Sequence, residues 1–128
     1  MKIIKTKINF KDNRGQIRDI LTHTDTDACT FITFATEVKR GNHYHAKTNQ
    51  YDYILKGKLE CYARDRNTGI KEMQIVEAGD QIEHLANVEH AYKSLEYSEM
   101  LSFTKGPRQG DEYESDTIRL EGDQKLVS

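Results

Sequence analysis

The sequence predicts an all-β fold, a sandwich or barrel of short strands, on three observations. Turn-forming clusters recur at short intervals, β-branched and aromatic residues fill the segments between them, and no long stretch shows the period of an amphipathic helix. Asp12-Asn13-Arg14-Gly15 marks the first turn. Thr30-Phe31-Ile32-Thr33-Phe34 is a run rich in strand formers, and Arg40-Gly41-Asn42 reads as the turn that ends it. Tyr51-Asp52-Tyr53-Ile54-Leu55 follows, closed by Lys56-Gly57-Lys58. In the next segment Leu59, Cys61 and Ala63 alternate with Glu60, Tyr62 and Arg64, the period-two pattern of a half-buried strand. Asn67-Thr68-Gly69 turns the chain into Met73-Gln74-Ile75-Val76, and Ala78-Gly79-Asp80 turns it again. Met100-Leu101-Ser102-Phe103 is the last strong strand before Lys105-Gly106-Pro107. The polar stretch beyond it offers Ile118 and Leu120 for return to the body, with about six frayed residues at the end.

At 128 residues the chain predicts a single domain over 1–128, with a core over about 8–104 and a polar C-terminal tail. Nineteen basic residues against 21 acidic ones, with a pI near 6.2, argue against a nucleic-acid partner, which needs a basic surface. No apolar run approaches the roughly 18 residues of a membrane span. The opening MKIIKTKINF breaks its apolar residues with lysines and makes a poor secretory segment, so a cytoplasmic protein is expected. Cys29 and Cys61 stand in strand-like surroundings without CxxC spacing and read as reduced, buried, structural thiols.

The chemistry concentrates in KRGNHYHAKTNQYDYILKGK, residues 39–58. His43 and His45 are two apart, so on a strand both rings leave the same face and can converge on one point. Gln50 follows five residues later and Gly57 seven after that. Gly79 precedes His90 by eleven residues, and Ser94 lies four further on.

This spacing resembles the two motifs of the cupin superfamily. The first reads Gly, HxH, an acidic residue or glutamine, then Gly, which Gly57 closes in register. In the second, this chain supplies Gly79, Leu85, Asn87, His90 and Ser94, with Leu85 in place of proline, Asn87 in place of glycine and Ser94 in place of asparagine. Asn87 is a tolerable exchange, because asparagine enters left-handed backbone readily. The resemblance implies a double-stranded β-helix, a jelly-roll barrel, whose mouth holds a divalent ion between His43, His45, Gln50 and His90. Those ligands carry no charge, so Zn, Fe, Ni, Cu or Mn would bind less tightly than to a cage containing a carboxylate. The histidines can alternatively serve acid–base or binding work without a metal.

Asp12-x-Arg14-Gly15 and Arg40-Gly41-x-His43-Tyr44-His45 are further similar to signatures of cupins that modify nucleotide-linked sugars: dTDP-sugar 3,5-epimerases, dTDP-4-oxo-sugar 3,4-ketoisomerases and the zinc cupin domain of capsular-polysaccharide reductases. The stretch HYHAKTNQYDYILKGK resembles the last group most, while Gln50 also fits the ketoisomerases. The resemblance implies an isomerase or epimerase acting through an enediolate whose oxyanion needs a donor or cation. His43 occupies the position of the epimerase base, a role that conflicts with metal ligation. If a metal takes His43, the proton falls to His84, Tyr53 or Tyr92, although His84 also reads as an exposed strand-end residue and the tyrosines as barrel packing. Arg14 and Arg40 are the candidates for a substrate diphosphate. In the epimerases the arginine of the first signature reaches a neighbouring subunit, which implies a homodimer, and related cupins pair through an outer sheet. Two other functions fit the same motifs, a metal-dependent dioxygenase or lyase on another small molecule and a non-catalytic sugar-binding module.

Overall fold

The computed structural model describes residues 1–107, 111 and 114–128. Part of the polar tail, residues 108–110 and 112–113, lies outside the described residues. The strands are β1 (Lys2–Lys5), β2 (Ile8–Asp12), β3 (Gly15–Arg18), β4 (Ala28–Phe34), β5 (Lys39–Tyr44), β6 (Asn49–Lys56), β7 (Lys58–Asp65), β8 (Lys71–Glu77), β9 (Asp80–His84), β10 (Val88–Ser94), β11 (Ser98–Lys105) and β12 (Ile118–Arg119). They form two five-stranded antiparallel sheets, ordered β1-β9-β6-β11-β4 and β12-β5-β10-β7-β8, and a separate β2-β3 hairpin. From β4 onward, successive strands and hairpins cross between the sheets in the order of a jelly roll, the expected fold class. Among the described residues no helix is long and apolar enough to cross a membrane.

Each sheet sends alternate residues inward. Phe34, Ile54, Ile82 and Met100 from one sheet meet Leu59, Cys61, Val76 and Tyr92 from the other, forming the apolar core at one end of the barrel. The alternation read from β7 holds: Leu59, Cys61 and Ala63 are buried. Toward the other end the inward positions turn polar, with His45, Gln50, Asp52, His84 and His90 all buried.

Three expectations need correction. Arg40-Gly41-Asn42 does not end a strand; it lies inside β5, where Gly41 (φ 90°) and Asn42 (φ 55°) are both left-handed and the pairing with β10 shifts register at His90/Ala91. Two such residues inside a paired strand make a bulge, which bends the strand without reversing it. The final residues are not frayed. Leu120 and Leu126 pack with Ala91 against the outer face of the second sheet, and Asn42 Oδ1 accepts from the backbone of Leu126 and Val127 while its Nδ2 donates to Val127 O. Cys61 is buried and Cys29 is exposed, because Cys29 points outward from the edge strand β4; neither forms a disulfide.

Candidate functional site: a histidine cage at the barrel mouth

The bulge in β5 aims the first histidine. Gly41 packs so closely on β10 that a Cβ there would lie 2.9 Å from the His90 carbonyl oxygen, and two residues later His43 stands directly opposite His90 in the ladder. His45 follows just past the end of β5, with its ring centroid 4.8 Å from that of His43 and 5.3 Å from that of His90. Nε2 of His43 lies 3.0 Å from Nε2 of His90, and Nε2 of His45 lies 3.2 Å from Oε1 of Gln50. The four side chains expected to converge do so, and His43, Gln50 and His90 line a cavity of about 610 Å³ that also includes Lys39, Arg40 and Arg119.

Hydrogen bonds on the far side of the rings fix their tautomers. The backbone oxygen of Asp116 can only accept, so His45 Nδ1 carries a hydrogen and donates to it at 2.9 Å; Val88 O holds His90 Nδ1 in the same way at 3.3 Å. In the neutral rings both Nε2 atoms are therefore lone pairs. Burial pushes the His90 imidazole well below its ordinary pKa, helped by the neighbouring His84 and His43, which keeps it neutral. On Gln50, Nε2 donates to both oxygens of Asp52, at 3.0 and 2.9 Å, so its oxygen faces His45. A His45 lone pair and an amide oxygen thus meet at 3.2 Å, and only a cation between them, a proton or a metal ion, satisfies both.

The donor set fits a metal. A tetrahedral ion with bonds of about 2.0–2.1 Å sets its ligand atoms about 3.3 Å apart. The 3.0 and 3.2 Å pairs approach that edge length, and the ligating nitrogens of His43, His45 and His90 all lie within 4.8 Å of one another.

The other candidates fall elsewhere. His84 is not an exposed strand end: it is 1% accessible and stacks behind His90 with ring centroids 4.4 Å apart. Its Nε2 and the Tyr92 hydroxyl are 2.8 Å apart, and that hydroxyl donates to Asp52 Oδ2 at 2.7 Å. Tyr92 borders the cavity, but burial, with the nearby Asp52 carboxylate, raises its pKa well above the ordinary phenol value. Tyr53 is odd in register to Gln50 and Asp52 on β6, so its side chain leaves the opposite face of the sheet. Arg40 is at the cavity, its Nε donating to Thr33 O at 3.2 Å and its guanidinium lying 5.5 Å from the Phe34 ring centre. Arg14 is not; it folds back on Asp12 in the β2–β3 turn, where Nε donates to Asp12 Oδ2 at 2.9 Å.

Three residues of the site carried no earlier assignment. Asp52 shares strand parity with Gln50, a signal present in the sequence. Asp116 lies in the polar tail and gathers the backbone amides of Ala46, Lys47 and Thr48 and the Thr48 hydroxyl onto one carboxylate, at 2.8–3.1 Å. Arg119, paired with Glu114 at the cavity, pairs in register with His43 across β12 and β5.

No protein-family model matches the sequence, and no curated protein matches it. Solved structures do. The chain superposes on a 3,4-ketoisomerase from Helicobacter canadensis with a TM-score of 0.77 at 18% identity, covering 92% of this chain and 89% of that one. It superposes on the dTDP-6-deoxy-D-glucose-3,5-epimerase of Legionella pneumophila, crystallised with dTDP-4-keto-L-rhamnose, with a TM-score of 0.69 at 18% identity over 80% of this chain. The chain has the cupin fold. The chain spans 64% of the Legionella epimerase and 33% of the capsular polysaccharide assembling protein CapF of Staphylococcus aureus, which it matches with a TM-score of 0.65 at 18% identity over 91% of its own length. Identities this low carry the architecture, and the chemistry rests on the residues at the mouth.

Proposed function

We propose that this cupin binds a divalent ion, such as Zn, Mn, Fe or Ni, through His43, His45, Gln50 and His90, and isomerises or epimerises a nucleotide-linked oxo-sugar for surface-polysaccharide synthesis. The facing acceptors of His45 and Gln50 carry the metal half of the proposal. The sugar half is supported by the ligand of the Legionella epimerase and by Lys39, Arg40 and Arg119, cations that line the cavity beside the cage and suit a diphosphate. A bound ion would polarise the substrate's carbonyl or hydroxyl oxygen as a Lewis acid. The chain's part is to hold the sugar against the cage, to grip the diphosphate through Arg40, and to keep water out with the apolar cavity side chains Phe34 and Met100.

A second reading has its own observation. His43 is less buried than His45 and His90 and lies 3.0 Å from a second imidazole, so without a metal it can take the substrate proton and share it with His90. In that reading His43 is the base.

The proposal includes a homodimer. The β2–β3 hairpin pairs with neither sheet and exposes Ile8, Phe10 and Ile17, and a two-stranded hairpin is marginal alone. A second copy covering that face would carry Arg14 to its neighbour. The unpaired cysteines accord with a cytoplasmic location.

Turnover of a dTDP-4-oxo-sugar in deuterated water tests the reading. Deuterium entering at the carbon beside the ketone, with an isomerised or epimerised product, is expected. No exchange by metal-loaded protein would contradict it and leave the dioxygenase, lyase and sugar-binding alternatives.

A further inference from the structure

We infer that Asp52 decides which end of the Gln50 amide faces the cage and supplies, from behind that amide, the negative charge that the four ligand side chains lack. Asp52 is fully buried on β6, on the same face as Gln50. Gln50 Nε2 spans its two oxygens, and the Tyr92 hydroxyl donates to one of them. Tyr92 in turn lies within hydrogen-bonding reach of His84 Nε2, whose ring Nδ1 is buried without a hydrogen-bond partner. A chain in which His84 Nε2 donates to Tyr92, and Tyr92 to Asp52, leaves that Nδ1 as a bare lone pair and makes Asp52 the common acceptor.

A primary amide has one donating and one accepting end of nearly the same shape, so its neighbours choose its orientation. A carboxylate accepts only. Gln50 must therefore turn its nitrogen to Asp52 and its oxygen to the cage, which makes every atom presented by Gln50, His45 and His90 an acceptor. Among the described residues no lysine or arginine pairs with Asp52, and an uncompensated buried carboxylate is costly. A divalent cation one side chain away offsets that cost. The sequence reads the cage as uncharged; with Asp52 behind it, the site as a whole carries a carboxylate.

The charge half rests on the metal reading above, and the orientation half does not. The test uses the full chain, stripped with chelator, as wild type, Asp52→Asn, Gln50→Glu and the double variant, each checked for folding by circular dichroism. Zinc affinity is measured by competition with a chromophoric chelator. Asp52→Asn should weaken zinc about ten- to hundredfold. Gln50→Glu alone should bind no tighter than wild type, because its new carboxylate faces Asp52, and the double variant should regain wild-type affinity. Zinc binding unchanged in Asp52→Asn, or tightened by Gln50→Glu alone, would overturn the charge half. A wild type that binds no zinc overturns both the metal reading and the charge half. Orientation is read without metal or variants: one proton of the Gln50 side-chain NH₂ group, shared between the two Asp52 oxygens, should be protected from solvent exchange in nitrogen-15 spectra. Fast exchange of that NH₂ group overturns the orientation half.

Discussion

The amide nitrogen of Gln50 donates to both carboxylate oxygens of Asp52, at 3.0 and 2.9 Å, two residues apart on one strand. That contact links the cage at the barrel mouth to the buried polar chain beneath it. The site is two layers deep, since hydrogen bonds from behind orient His45, Gln50 and His90.

Asp116 is the second such support. Replacing it with alanine removes four hydrogen bonds from the loop 46–48 and loosens the segment whose carbonyl orients His45. Asp116→Ala should lower unfolding stability by about 2 kcal/mol or more and weaken zinc about tenfold. Urea denaturation and zinc titration measure the two losses separately.

Stability without metal should fall in acid. Burial first, and neighbouring histidines to a smaller degree, lower the pKa of His90; burial also lowers that of His84. The unfolded chain therefore takes up protons below about pH 6.5 that the folded chain refuses. Stability should decline from that pH downward, by up to about 1.4 kcal/mol per pH unit for each histidine. Asp116 adds a later loss: desolvation raises its carboxyl, but hydrogen bonds from Lys47, Thr48 and Ala46 outweigh this and lower it, so its contribution persists above the ordinary carboxylate range and disappears as pH falls through the lowered value. Thermal melts from pH 8 to about pH 2 check both steps, and a flat profile through pH 6 would contradict the histidine part.

Gly41 should tolerate no side chain. Its φ of 90° and the 2.9 Å approach to His90 O combine backbone strain with a clash against the backbone that carries a cage histidine. Gly69 also has positive φ but nothing within 4 Å. Gly69→Ala should cost about 1–2 kcal/mol, and Gly41→Ala clearly more, with metal affinity lost as well. Equal costs, measured by denaturation, would contradict the role given to the bulge.

Part of the cage was legible because strand parity is a local property: His43 and His45, two apart, share a face. Gln50 and His90 join them only through the resemblance of their spacing to the two cupin motifs, since nothing local brings separate strands together. The same parity places Asp52 beside Gln50 and turns Tyr53 away. The burial of His84 was not legible, since it depends on the stacked His90 ring from another strand. Asp116 and Leu126 sit in a tail without periodicity, and only the fold shows that it returns to the cage and to Asn42. Arg40-Gly41-Asn42 shows the converse: turn-forming residues inside a paired strand become a bulge.

Arg40 should act on binding. Arg40→Ala should raise KM for a dTDP-sugar about tenfold or more, the worth of a hydrogen-bonded charge contact, with kcat little changed. Arg40→Lys should fail to restore it, because an ammonium lacks the planar fork. Steady-state kinetics on the three proteins decide this, and a lost kcat at unchanged KM would move Arg40 from binding to chemistry.

The metal content of purified protein, measured by mass spectrometry beside that of His90→Ala, tests the cage most directly. Close to one equivalent of a divalent ion in the native chain, lost in the variant, is the predicted result. Near-zero metal in both would contradict the cage and make His43 the base.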